Sequence, residues 1–188
     1  MSTSNIIKGA CTYCYRTTFI KNNKLFMPEG IIHEDELFLT LAFFKARKCL
    51  FTQIPLYAYI RREGSIMSIK TEQQWIRSLN NLLYIIEQTI LLKKDSSLTE
   101  LQLKALDNRL SYLLYGYIYN LTTSCLSNIQ KDYHINKLQS IGQYPLPEIG
   151  DSRMYKLMRL CSTNKIALTL FIKTVQTINS KRVKGKIY

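Results

Sequence analysis

Apolar residues recur at helical spacing through the second half of the chain, whereas residues 1–67 mix helical and strand-like stretches. Thr71 opens a helix whose stripe runs Trp75, Leu79, Leu82, Leu83, Ile86 and Ile90. A second stripe follows at Leu101, Ala105, Leu110, Leu113, Leu114, Tyr117, Ile118 and Leu121. Steps of three and four residues place such side chains on one side of an α-helix. Ser97-Leu98-Thr99-Glu100 reads as a capping box that starts the second helix. With only residues 93–97 between them, the two helices should form an antiparallel hairpin. A shorter helix around 135–141 ends at Gly142, and Pro145 and Pro147 enforce a linker. A last helix over about 164–179 carries Ala167, Leu170, Phe171, Val175 and Ile178 on one face.

The first third reads differently. Residues 9–23 predict a helix with Tyr13, Cys14, Thr17, Phe19 and Ile20 on its apolar face. Leu25-Phe26-Met27 reads as a short strand closed by the turn Pro28-Glu29-Gly30. A helix then starts at Glu34 or Asp35, with Leu37, Phe38, Leu41, Ala42 and Phe44 at helical spacing. Lys45, Arg47 and Lys48 fall in its last turn, where cations suit the helix dipole. Residues 49–54 and 57–60 read as two strands broken at Pro55. The expected class is therefore α+β turning mostly α: an α/β segment over 1–68, then an α-helical extension over 69–188 with a basic tail.

Charge sharpens this picture. The 188 residues carry a formal net charge of +13, enough chain for one ordinary domain with a hydrophobic core. After Asp151 there is no acid, yet nine basic residues follow between Arg153 and Lys186. Such a tail suits phosphate, of nucleic acid or of an anionic membrane. Nucleic acid is the poorer match, because the cations are not interleaved with stacking aromatics and no nucleic-acid-binding signature occurs. No apolar run approaches the roughly 18–20 residues needed to span a bilayer. The N-terminal residues lack a signal-peptide pattern, so the expected location is cytoplasmic, either free or peripheral on the inner face of the membrane through 153–188. Five cysteines, an odd number, predict reduced and mostly buried thiols. Cys11-Thr-Tyr-Cys14 has the spacing of half a zinc site, but no second pair completes it, so two core thiols are expected.

The stretch with candidate chemistry is His33-Glu34-Asp35-Glu36, which concentrates three of the thirteen acidic residues. A carboxylate at a helix N-terminus gains about 0.3–1 kcal/mol from the dipole, which suffices to explain Glu36. Three in succession exceed what capping needs. Their mutual repulsion would raise at least one pKa toward the range of a general base.

That cluster sits within an ordered set of motifs between residues 10 and 67. The set comprises Tyr15-Arg16 with Phe19, Leu25-Phe26, Pro28-Glu29-Gly30, the acidic cluster with Phe38, then Ala46, Pro55-Leu56-Tyr57, Tyr59 and Arg62-Glu63-Gly64-Ser65-Ile66. It resembles the C-terminal half of the catalytic domain in glycosyltransferase family 2, inverting enzymes of the GT-A fold, most closely the bacterial type that builds surface polysaccharides. The resemblance implies that residues 1–68 are the C-terminal portion of a GT-A-like domain. It implies that Asp35 is the base that deprotonates an acceptor hydroxyl, with Glu34 orienting the base or the acceptor. Arg61 and Arg62 would neutralise the leaving diphosphate, with Ser65 assisting. His33 is left between a donor or metal contact and an ordinary hydrogen-bonding role. The implied partners are a nucleotide-sugar donor and a glycan or lipid-linked acceptor, and the complete enzyme would use Mg²⁺ or Mn²⁺. The departure is large. Family members carry a donor-binding half with an Asp-x-Asp motif upstream, whereas the aspartates here, at 35, 95, 107, 132 and 151, make no such motif. The expectation is a truncated or split glycosyltransferase, inactive alone and holding no metal alone. The alternative is a non-catalytic basic helical module that binds a membrane surface or a protein partner.

Overall fold

The structure is a computed structural model that describes residues 9–52, 54, 57, 58, 60 and 71–184, with side chains up to Ile178. Among the described residues all regular structure is helical. A 3-10 turn at Ala10–Thr12 precedes α1 (Thr17–Asn22), α2 (Glu34–Lys45), α3 (Glu72–Leu92), α4 (Glu100–Thr123), α5 (Asn128–Ser140), α6 (Arg153–Ser162) and α7 (Lys165–Lys184).

This overturns the expected α+β class and its GT-A-like α/β segment. The described parts of 25–27, 49–54 and 57–60 form no strand. Strand-type residues need a pleated neighbour to pack on, and none exists among the described residues. Apart from the buried Leu25, many of their apolar side chains stay in water instead: Leu50 is 94% exposed, and Phe26, Phe51, Ile54 and Ile60 are exposed as well. The predicted helix over 9–23 is also broken. Residues 13–16 leave the helix so that Tyr13 can pack edge-on against Phe43 and Tyr15 against Phe38, with ring centroids 5.3 Å apart in both pairs. These rings, rather than thiols, fill the small core around Ala10, Leu25, Phe38, Leu39 and Ala42. Cys11, Cys14, Cys49 and Cys125 are exposed and Cys161 is half-buried, contrary to the expected burial.

The α3–α4 hairpin forms as expected and is the centre of the molecule. Leu79, Leu82, Leu83, Ile85 and Ile86 of α3 meet Leu110, Leu113, Leu114, Tyr117 and Ile118 of α4, and Leu37, Leu138, Tyr155, Met158, Leu168 and Ile172 close the core from the other helices. The α4 stripe begins one turn later than expected. Leu101 and Ala105 are exposed, and Leu106 is the first buried residue. The cap shifts too: Ser97 is engaged by Asp95, its backbone N–H donating to Oδ1 at 2.9 Å. Thr99 then caps α4 with Gln102 as its reciprocal partner. The same device, a hydroxyl with a glutamine three residues on, starts α3 (Thr71 and Gln74) and α5 (Ser127 and Gln130). Helix α5 starts earlier than expected because of that cap. Helix α6, unforeseen, starts at the Ser152 cap and buries Tyr155, Met158 and Ser162. Helix α7 turns Leu168, Ile172 and Val175 inward, leaving Leu170 and Ile178 of the expected face exposed, with Ala167 and Phe171 half-buried.

One buried pair makes the bundle sensitive to acid. Tyr117 and His134 are both buried and share a hydrogen bond of 2.8 Å between Oη and Nδ1. Burial pushes the phenol well above its ordinary range, so it remains protonated beside the imidazole. Burial also lowers the pKa of His134 below its ordinary 6.5. In the unfolded chain this residue takes up its proton near pH 6.5, and in the folded protein only at lower pH. Between those points the unfolded state binds more protons, so the stability present above pH 6.5 is lost as the pH falls toward the folded value. Urea unfolding from neutral to mildly acidic pH should show a steeper loss for the unmodified protein than for His134→Gln. Identical pH profiles would remove His134 from the acid response.

Candidate functional site

The acidic cluster opens α2, and the chain enters that helix through an unusual turn. Gly30 and His33 both have a φ of 73°, in the left-handed region. Glycine adopts it freely, whereas for His33 it is an uncommon conformation that needs support. Helix α3 supplies that support from outside. The Arg77 Nη2 donates to the Gly30 carbonyl at 2.8 Å, and His33 Nε2 and Ser78 Oγ share a hydrogen bond of 3.1 Å. No side chain caps α2, and its first turn instead carries Glu34, Asp35 and Glu36.

The three carboxylates have separate fates. Glu36 turns inward to an ion pair with Arg109 of α4, whose side chain is only 7% exposed. Arg109 also donates from Nε to Thr40 Oγ1 and from Nη2 to the Glu36 carbonyl, each at 2.9 Å. Its guanidinium carbon lies 5.4 Å from the centroid of the Tyr112 ring. Glu36 is thus a structural anchor that ties α2 to α4. Its departure from the cluster also eases the repulsion among the three acids. Glu34 and Asp35 remain half-buried, and among the described residues no hydrogen bond or ion pair engages their carboxylates. Asp35 lies over the backbone of Gly9, where an added Cβ would come 3.3 Å from Oδ2.

Tyr112 belongs to this site although its position in the sequence gives no hint of it. Burial raises its phenol pKa, the charges of Glu36 and Asp35 add to the shift, and Arg109 opposes it. The site therefore gathers Glu34, Asp35, Glu36, Arg109 and Tyr112, from α2 and α4, with His33 held to α3. His33 spends its Nε2 on Ser78. Arg61, Arg62 and Ser65 lie outside the described residues. Among the described residues no group of three or more His, Cys, Asp or Glu side chains could hold a metal ion. The side chains described thus do not make a site for Mg²⁺ or Mn²⁺. Among the described residues, too, no helix is long and apolar enough to cross a membrane. Comparison with known protein families, curated proteins and solved structures finds no match to this chain.

Proposed function

We propose that this chain supplies the acceptor-activating part of an inverting glycosyltransferase and works only together with a donor-binding part from outside these residues. The observation that carries the reading is the division of labour among the carboxylates. Glu36 is committed to Arg109, whereas Asp35 and Glu34 stand side by side, unpaired among the described residues and partly open to solvent. A general base needs an uncommitted carboxylate within reach of the hydroxyl it deprotonates. Asp35 would accept the acceptor's proton as the oxygen attacks the anomeric carbon and the nucleoside diphosphate departs from the opposite side. Glu34 and the Tyr112 phenol would hydrogen-bond the acceptor and hold it. Arg61, Arg62 and Ser65, assigned by sequence resemblance alone, would face the departing diphosphate. The exposed Leu50, Phe51, Ile54 and Ile60 give a second part an apolar surface to cover.

Two measurements test this. Calorimetric titration of the 188-residue chain with UDP- and GDP-sugars and Mn²⁺ should give no binding. Micromolar binding would place a donor site within these residues and end the two-part reading. The chain fused to the donor-binding half of a family 2 enzyme should then release nucleoside diphosphate faster than that half alone. Equal rates would remove the glycosyl-transfer role.

A further inference from the structure

We propose that the outward faces of α6 and α7 dock this protein onto the surface of an anionic lipid bilayer. The two helices pack on each other and on α4, turning Tyr155, Met158, Leu168, Ile172 and Val175 inward. What remains outside is not the polar coat of an ordinary surface helix. Leu157 and Leu160 on α6 and Ile166 and Leu170 on α7 are between 50% and 73% exposed. On α7, Ile166, Leu170 and Lys173 follow one another at steps of four and three residues, so they share one line along the helix.

Charge says what covers this face. No acidic residue follows Asp151, while nine basic residues do. Two of the nine are spoken for by acids from elsewhere in the molecule: Arg159 pairs with Glu148 at 3.1 Å and Lys165 with Asp132 at 2.6 Å. Among the described residues no ion pair engages Arg153, Lys156 or Lys173. Asp151 lies in the field of Lys156 but makes its ion pair with Lys104, at 3.6 Å. Exposed aliphatic side chains interleaved with unpaired cations are what a helix lying in a bilayer interface requires: the former enter the acyl boundary while lysine stems carry their charges up to lipid phosphates. Nucleic acid offers the same phosphates, but aliphatic side chains provide no stacking platform for its bases. This surface is built from other helices than the acidic cluster, so the inference stands independently of the glycosyl-transfer reading.

Co-sedimentation of the full chain with phosphatidylcholine vesicles, with and without phosphatidylglycerol, tests the inference. The chain should bind the anionic vesicles at low salt, weaken by about tenfold or more at high salt, and bind neutral vesicles little. Each basic residue near an anionic leaflet raises partitioning about fivefold, so Lys156→Glu with Lys173→Glu should weaken binding by about twentyfold or more. Leu157→Ser with Leu170→Ser should weaken it by about tenfold. Both pairs are exposed, and unchanged circular dichroism will show that the fold is kept. Binding that the leucine changes leave intact would reduce the face to simple charge attraction and overturn the proposal. So would equal binding to both vesicle types, no binding at low salt, or tighter binding to duplex DNA than to anionic vesicles at the same salt.

Discussion

Replacing Asp35 by Asn should leave the thermal midpoint of this protein within a few degrees of the unmodified value while glycosyl transfer, measured with the donor-binding part joined, falls by about 10²-fold or more. The two halves of that expectation rest on different observations. Stability should hold because, among the described residues, no hydrogen bond or ion pair depends on the Asp35 carboxylate. What is lost on folding is the favourable contact of one charge with the start of α2, at most about 1 kcal/mol at a partly exposed helix end. Rate should fall because asparagine keeps the shape and cannot accept the acceptor's proton. Glu36→Gln is the informative control, since it should lower stability before it lowers rate. An Asp35→Asn protein that unfolds would make the cluster a helix-starting device. One that transfers sugar normally would strike Asp35 from the chemistry.

Arg109→Ala should damage the fold heavily, costing about 3–5 kcal/mol, the range for breaking a buried ion pair from one side. Arg109 meets the Glu36 carboxylate, the Glu36 carbonyl, Thr40 and the Tyr112 ring together. Removing it leaves the Glu36 carboxylate, with a quarter of its side chain exposed, facing a gap. The loss is thus mostly the desolvation of an abandoned charge rather than the net worth of the pair. Replacing both partners at once, Arg109→Met with Glu36→Leu, should recover most of the stability, because apolar substitutes for a buried pair are often close to neutral. Urea unfolding with linear extrapolation reads both effects. A loss below about 1 kcal/mol for Arg109→Ala would demote the pair to an ordinary surface contact.

How far the sequence carried the fold differs by element, for physical reasons. The α3–α4 hairpin was legible because a long helix shows its buried side many times over, at Leu79, Leu83 and Ile86 and again at Leu110, Leu114 and Ile118. Helix α6 was not, because ten residues show only Tyr155, Met158 and Ser162 before the helix ends. Residues 49–60 misled for a deeper reason: strand propensity reports how well a side chain suits a pleated neighbour and not whether one is present. Of the candidate site, the run at 33–36 was plain. Its division into anchor and free carboxylates was not, since Arg109 lies 73 residues beyond Glu36. A hint was there to be used. Arg109 falls at a core-facing position of α4, three residues after the buried Leu106 and four before the buried Leu113, and a cation almost never lies buried without an acid to meet it.

The three reciprocal caps at Thr71, Thr99 and Ser127 all use glutamine where glutamate would serve equally well. In each, the glutamine Oε1 accepts from the backbone N–H of the capping residue at 2.8–2.9 Å. An amide has no proton to gain in mild acid and no charge for salt to screen. The starts of α3, α4 and α5 therefore keep their hydrogen bonds through changes of pH and ionic strength that would weaken carboxylate caps. The bundle's response to acid is left to interior groups such as His134. Its helices should loosen from their packing before they unwind from their ends.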